Sequence, residues 1–333
     1  MKSTTKVLAI GAKAAASLGL LWLALRGIDF GAVWTALGNV EARWLIVAPL
    51  ALTFGALVSG VRWHVLLRAH AVPVPLRRAT ALVLISNFFN SGLPSTFGGD
   101  AARIYYATKG AGAKAGAVLP AVTATILLDR FAGLACVMLV TVAVTLLAPY
   151  GLEFTPLWRT ASLALGLGVA GGFVFLALIN VVPRPASWTA RAAGGSGWTA
   201  AIVDTLAAIA ALRVSVAATG VATVVSIPVV VSVGVALAAL SAATGPEGAL
   251  GLGRAVAIAG PLVLATSVPI SFAGWGVREV LLVQLFPLLG LPAEAGLITS
   301  VLFGLSVFVA GTPGLVAWLL LQRPDESEQP RAA

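Results

Sequence analysis

The sequence predicts an all-α polytopic membrane protein, built as an inverted repeat of span, re-entrant hairpin and span. Three observations predict it. The 333 residues are 59% hydrophobic and only 10% charged, with a mean hydropathy of +1.01, whereas soluble domains carry about 25% charged residues. Several uncharged runs approach the roughly 20 residues needed to cross about 30 Å of hydrocarbon, and they do not alternate as barrel strands do. A pattern, Pro-x-[Ser/Thr]-Phe-[Gly/Ala]-Gly-x-x-x-Arg, occurs at Pro94–Arg103 and recurs without a gap at Pro269–Arg278.

Taken in order, residues 7–25 form a first span behind Lys2, Lys6 and Lys13. Leu25-Arg26-Gly27 offers no small-x-small cleavage site, so this helix is expected to be retained. Phe30, Val33, Trp34 and Leu37 mark a short amphipathic helix within 26–43, with Trp34 suited to an interface. A second span covers 44–61, and Arg62-Trp63-His64 after it reads as an interface anchor. Residues 79–93 rise only about 22 Å, too little to cross comfortably. The Pro and Gly of the first motif follow, then a short helix from about Asp100. Residues 79–114 are therefore expected to enter and leave on one side. Residues 117–149 form one long helix and 160–182 the next span. Residues 183–213 hold Pro183, Pro185, Gly194, Gly195 and Gly197, then a weakly amphipathic stretch near 199–212. Residues 214–241 span again. Residues 254–268 and 277–290 flank the second motif, with breaks expected at Pro287 and Pro292, and 294–321 is the last span. This gives about six full spans and two re-entrant helical hairpins. Residues 1–321 make a single integral membrane domain, with repeat one at 44–149, a connector at 150–213 and repeat two at 214–321. Residues 322–333 are expected to be a disordered cytoplasmic tail.

The basic residues orient this layout. With the N-terminus inside, 15 of the 21 Lys and Arg fall on inner segments. Four (Arg26, Arg43, Arg159 and Arg254) fall outside, and Arg130 and Arg278 lie at membrane depth. Both termini are then cytoplasmic. A full crossing by 79–93 would put Arg103, Lys109 and Lys114 outside and flip every later segment. The net charge of +9 thus reports topology rather than nucleic-acid binding. One cysteine, Cys136, excludes an internal disulfide, and two histidines, His64 and His70, give no metal cluster. No metal or other cofactor is expected.

The two motifs are the candidate site. Buried membrane backbone leaves the helix only where it lines a cavity or packs in protein. Proline ends the first half-helix of each hairpin and glycine permits the turn. The second half-helix then presents free N–H groups and a positive dipole end, a seat for phosphate or another anion. Gly99 and Gly274 would supply the N–H donors, and Thr96 and Ser271 lie in the turns. Arg103 and Arg278, one turn further on, would pair with the anion and face one shared cavity. The bland alternatives stay open: the Pro and Gly residues only shape the turns, Arg103 pairs with Asp100, and Arg278 pairs with Glu279. Asn87 and Asn90, with Ser91, share a helix face and either contact a headgroup or bond neighbouring helices. Asp129 and Arg130 are a buried pair or a gate, and Gln284 and Glu294 are weaker polar candidates.

Asn87-Phe88-Phe89-Asn90-Ser91-Gly92-Leu93-Pro94, Gly98-Gly99-Asp100-Ala101-Ala102-Arg103 and Leu128-Asp129-Arg130-Phe131 resemble the membrane region of lysylphosphatidylglycerol synthase/flippases. Pro269–Glu279 resembles the second hallmark of that family. The resemblance covers about 7–321 and implies a flippase-like fold with re-entrant helices. Asp129-Arg130 departs from the family's usual Glu-Arg. Full-length relatives carry a soluble aminoacyltransferase domain. This chain stops at 333, so synthase activity is not expected. The expected function is a cytoplasmic (inner) membrane flippase or lipid-precursor transporter for an anionic or phosphate-bearing headgroup. Its substrate would be a phospholipid or an isoprenoid or glycolipid. The alternatives are a headgroup-modifying membrane enzyme, with Asp100 or Glu279 as base, and a non-transporting scaffold for lipid biosynthesis. No nucleophile elbow, carboxylate pair or nucleotide loop favours an enzyme. A homo-oligomer or a lipid-biosynthesis partner stays open.

Overall fold

A computed structural model describes residues 2–38, 40–92, 98–109, 115–147, 156–181, 214–267, 271 and 273–322. The turn 93–97 with Thr96, the connector 183–213 and the tail from 323 lie outside the described residues. The described residues are helical, with no strand among them. In chain order the helices are α1 Lys2–Leu25, α2 Phe30–Gly38, α3 Ala42–Ala69, α4 Leu76–Gly92, α5 Gly98–Lys109, α6 Ala115–Leu147 and α7 Pro156–Val181. They continue with α8 Val216–Val225, α9 Ile227–Ala242, α10 Leu252–Ser267, α11 Val277–Leu288 and α12 Ala293–Leu321.

Four stretches among the described residues are long and apolar enough to cross a membrane: Ala42–Ala69, Val118–Val144, Val216–Ala242 and Ala293–Leu321. They coincide with four of the six expected spans. The other two, in α1 and α7, show shorter described apolar stretches at Ala14–Leu25 and Leu163–Leu178. The third crossing is broken at Ser226, between α8 and α9. Pro228 removes a backbone donor in the first turn of α9, which frees the chain to bend there. By contrast α11 runs on through Pro287 to Leu288, past the expected break.

The repeat offset, the shift that carries Pro94 onto Pro269, also lays α3, α4 and α6 on α8–α9, α10 and α12, almost end to end. The packing repeats in the same way. Helix α3 packs on α4 as α9 packs on α10; α5 packs on α6 as α11 packs on α12. The halves also exchange partners, α4 lying on α12 and α10 on α6.

Glycines make these approaches possible. Gly60 meets Thr80 of α4, and its near-counterpart Gly234 meets Val256 of α10. Gly314 lies on the α4 backbone at Leu84, and Gly260 lies on Thr141 of α6. Lipid is as apolar as Leu, so membrane helices associate through such close, small-residue packing. Helices α3 and α9 cross at Gly55 and Ser232, while Arg62 reaches Ser226. The partner number falls as the α3 number rises, so these two helices run antiparallel.

Outside the halves, α1 packs on the second motif. Gly276, at φ +89°, leaves room there for Ser17 and Leu20. Large apolar side chains such as Trp22, Phe54, Leu167 and Leu320 are exposed, the outward face expected toward hydrocarbon.

Candidate functional site

Two ionic clusters sit inside the helices, one in each half. In the first, Asp129 of α6 is 3% exposed and accepts from two arginines. Arg103 of α5 donates through Nη1 and Nη2 to Oδ2 at 3.1 Å. Arg62 of α3 donates through Nε to Oδ1 at 2.6 Å and through Nη1 to Ser226 Oγ at 3.1 Å. The Arg103 guanidinium also lies 4.0 Å from the Trp63 ring centroid, and Trp63 Nε1 donates to Thr125. Asp100 accepts from Arg130 Nε at 2.6 Å and stands 3.8 Å from Arg103. Three guanidinium groups thus share two carboxylates. Charges in hydrocarbon persist only when paired and hydrogen-bonded in this way.

In the second cluster, Glu279 of α11 is 0% exposed and fully engaged. Its Oε1 accepts from Arg278 Nη2 at 2.8 Å, Arg278 Nε at 3.2 Å and Ser300 Oγ at 2.9 Å. Its Oε2 accepts from the Gly276 N–H at 2.6 Å, which caps α11. Arg278 also donates to Ser300 at 3.1 Å and lies over Trp275 at 4.6 Å. The turn before α11 is left-handed at Ala273 and Gly274, with φ +49° and +80°. It carries Trp275 to the cavity wall.

The arrangement differs from the expected one in four respects. Arg278 lines a cavity of about 590 Å³ with Asn87, Asn90 and Ser91 of α4, so the two halves do meet there. Arg103 does not line it; Asp129 and Trp63 hold it elsewhere. The two arginines therefore do not face this cavity together. The Gly99 N–H is also committed, donating to Asn90 Oδ1 at 2.9 Å. Arg62-Trp63 is no interface anchor: Trp63 is 0% exposed and Arg62 is part of the first cluster. Arg62 and Arg103 lie within helices and are ion-paired, so neither counts as a loop charge. Gly274 is buried beside Thr266, and buried Ser271 has an Oγ with no partner among the described residues.

Asp129 and Arg130 border a second cavity of about 380 Å³ with Ser59, Arg62, Ser226 and Ser267. Val263 of α10 borders both cavities. One stripe of α3 serves both, Leu52 and Ala56 on the larger and Ser59 and Arg62 on the smaller. The larger cavity opens sideways, since its lining residues Leu305 and Phe308 are 53% and 52% exposed on α12.

Sequence reading missed Arg62, Ser226 and Ser300. Arg62 had a signal, because the apolar run of α3 continues beyond it through Val65-Leu66-Leu67. The two serines had none, as a serine in an apolar run usually bonds its own helix backbone.

Residues 8–314 match the family described as lysylphosphatidylglycerol synthase TM region. The chain belongs to that family. No curated protein matches it at a significant level. Membership in the lysylphosphatidylglycerol synthase TM family, with the apolar helices, makes this an integral membrane protein with a lipid-related role.

Proposed function

We propose that the protein is a flippase or lipid-precursor transporter of the cytoplasmic membrane, moving an anionic or phosphate-bearing headgroup between leaflets. The observation that carries this reading is the larger cavity. A polar wall contributed by both halves, Arg278 from one and Asn87, Asn90 and Ser91 from the other, is unusual at membrane depth. Its volume suits a headgroup. Its lateral rim at Leu305 and Phe308 lets acyl or isoprenoid chains stay in the bilayer.

The fold supports a transport cycle. Antiparallel α3 and α9, reciprocal packing and a single repeat offset are what an inverted repeat requires, and α4–α5 and α10–α11 are short enough to be re-entrant hairpins. Inverted repeats with broken helices at the midplane characterise alternating-access transporters. In the cycle the head binds at Arg278 and passes Val263 to the smaller cavity at Arg62 and Arg130. The halves rock about the α3–α9 crossing. Both termini lie on the cytoplasmic side. Arg103, Asp100, Glu279, Gly99 and Gly274 hold the two clusters and turns in place, while Arg278, Asn87 and Asn90 touch the head.

The test is reconstitution. Arg278→Ala strands the buried Glu279 and should be less stable. Its folded fraction, isolated by gel filtration, should lose transfer of a labelled phospholipid headgroup in proteoliposomes by at least about tenfold, the size of one charge-assisted contact. Unchanged transfer would remove Arg278 from the site.

A further inference from the structure

The internal repeat shows how the two arginine sites have diverged. Carried forward by the repeat offset, Arg103 becomes Arg278, but neither acid partner survives. Asp100 becomes Trp275 and Asp129 becomes Gly304. The exchange has a structural consequence. A Cβ at position 304 would meet the Arg278 guanidinium, so the glycine lets that group lie against the α12 backbone. Arg278 finds its carboxylate instead at Glu279, whose counterpart is Ile104. Glu279 faces away from solvent-accessible space, with both oxygens occupied. Arg278 Nη1 has no acceptor among the described residues, and the Asn87 side-chain amide has no partner among them either.

The same accounting holds in the smaller cavity. Asp129 gives one oxygen to Arg62 and the other to Arg103. Asp100 is held by Arg130, with Arg103 also beside it. Among the described residues, the clusters beside the two cavities hold three carboxylates, Asp100, Asp129 and Glu279. Each of those carboxylates is already paired. An ammonium group brought into either cavity would lose water and find no uncommitted carboxylate among the described residues. A phosphate would meet Arg278 Nη1. Hydroxyl groups beside it would meet the Asn87, Asn90 and Ser91 side chains, which donate and accept.

We infer that the headgroup is amine-free: a phosphodiester or phosphomonoester carrying hydroxyls, such as a glycerol or sugar phosphate on a lipid. Gly304 is the position that opens its anion seat on Arg278. This deepens the headgroup-site reading of the larger cavity and rests on it. It also separates this chain's substrate from the aminoacylated lipid in the family's description, whose lysyl ester carries two amines.

Native mass spectrometry of the purified full chain, offered phosphatidylglycerol and lysylphosphatidylglycerol in equal amounts, tests the selectivity. Transfer of each lipid in proteoliposomes tests the transport reading separately. The wild type should retain phosphatidylglycerol over its lysyl ester by about tenfold or more, the cost of an amine left without its charged partner. Gly304→Asp should recreate the pairing of the first half and expel phosphatidylglycerol. Asn87→Asp, which changes no side-chain bond, should shift retention toward the lysyl ester. Equal or preferred retention of the lysyl ester by the wild type overturns the inference. So does displacement of the lipid by soluble glycerol 3-phosphate, which would assign the seat to a free phosphate. Selective retention without transfer leaves the inference standing and overturns the transporter. Transfer of both lipids alike does the reverse.

Discussion

Asp129 joins three helices through two guanidinium groups, and its removal leaves Arg62 and Arg103 buried without their shared counter-charge. Breaking a buried pair from one side costs about 3–5 kcal/mol, because the stranded charge keeps its desolvation penalty. Asp129→Ala should therefore lower the thermal unfolding midpoint in detergent sharply. Arg43→Ala, at an exposed pair with Glu41, should change stability by less than about 1 kcal/mol. Equal effects would show that the Asp129 cluster does not hold the helices. The residue types at the site were legible in the sequence, since arginine and aspartate in apolar runs are costly and call for partners. Which partner each would choose was not. Arg103 lies three residues from Asp100, a distance that suggests a local pair, yet it bonds Asp129 on another helix. That choice depends on how α5 is rotated against α6, which no local spacing fixes.

Helices meet here through glycine, and the glycines differ in what they face. Gly314 abuts the α4 backbone at Leu84, whereas Gly168 of α7 has open space around it. Gly314→Val should force α12 off α4 and destabilise the fold by about 1–3 kcal/mol, as overpacking does. Gly168→Val should fall within about 0.5 kcal/mol of the wild type. Chemical denaturation in mixed micelles measures both, and a neutral Gly314→Val would contradict the packing. The elements themselves were largely legible. Length alone separated the short α4, α5, α10 and α11 from the long helices, because hydrocarbon thickness sets the scale. The break at Ser226 was not, since a continuous apolar run reads the same whether one helix or two occupy it. Pro228 was its one signal, and proline also occurs inside unbroken membrane helices, as Pro313 does in α12. The extent of α3 past Arg62 was lost for a related reason. An arginine reads as the end of a span unless its partner within the membrane is known.

At the scale of the whole molecule, the repeat was visible as an offset and a cavity shared by its halves was expected, but the helices that build that cavity were not legible. The offset says which positions are equivalent; it does not say that α4 lies on α12, which brings Asn87 beside Arg278. The layout makes a topological prediction. If α4–α5 and α10–α11 are hairpins entering from opposite sides, Lys109→Cys and Gly290→Cys should react with a membrane-impermeant thiol reagent from opposite faces. A Cys136→Ser background serves for both. Labelling from the same face would mean that the halves are not inverted. The most direct test of the headgroup site uses a phospholipid with a photoreactive group on its head, cross-linked to the reconstituted protein and mapped by peptide mass spectrometry. Cross-links should fall on α4 around Asn87–Ser91 and on the Ala273–Arg278 segment, and excess unlabelled phosphatidylglycerol should abolish them. Cross-links confined to outward-facing residues such as Leu50 and Phe54, with none on those two segments, would contradict the account.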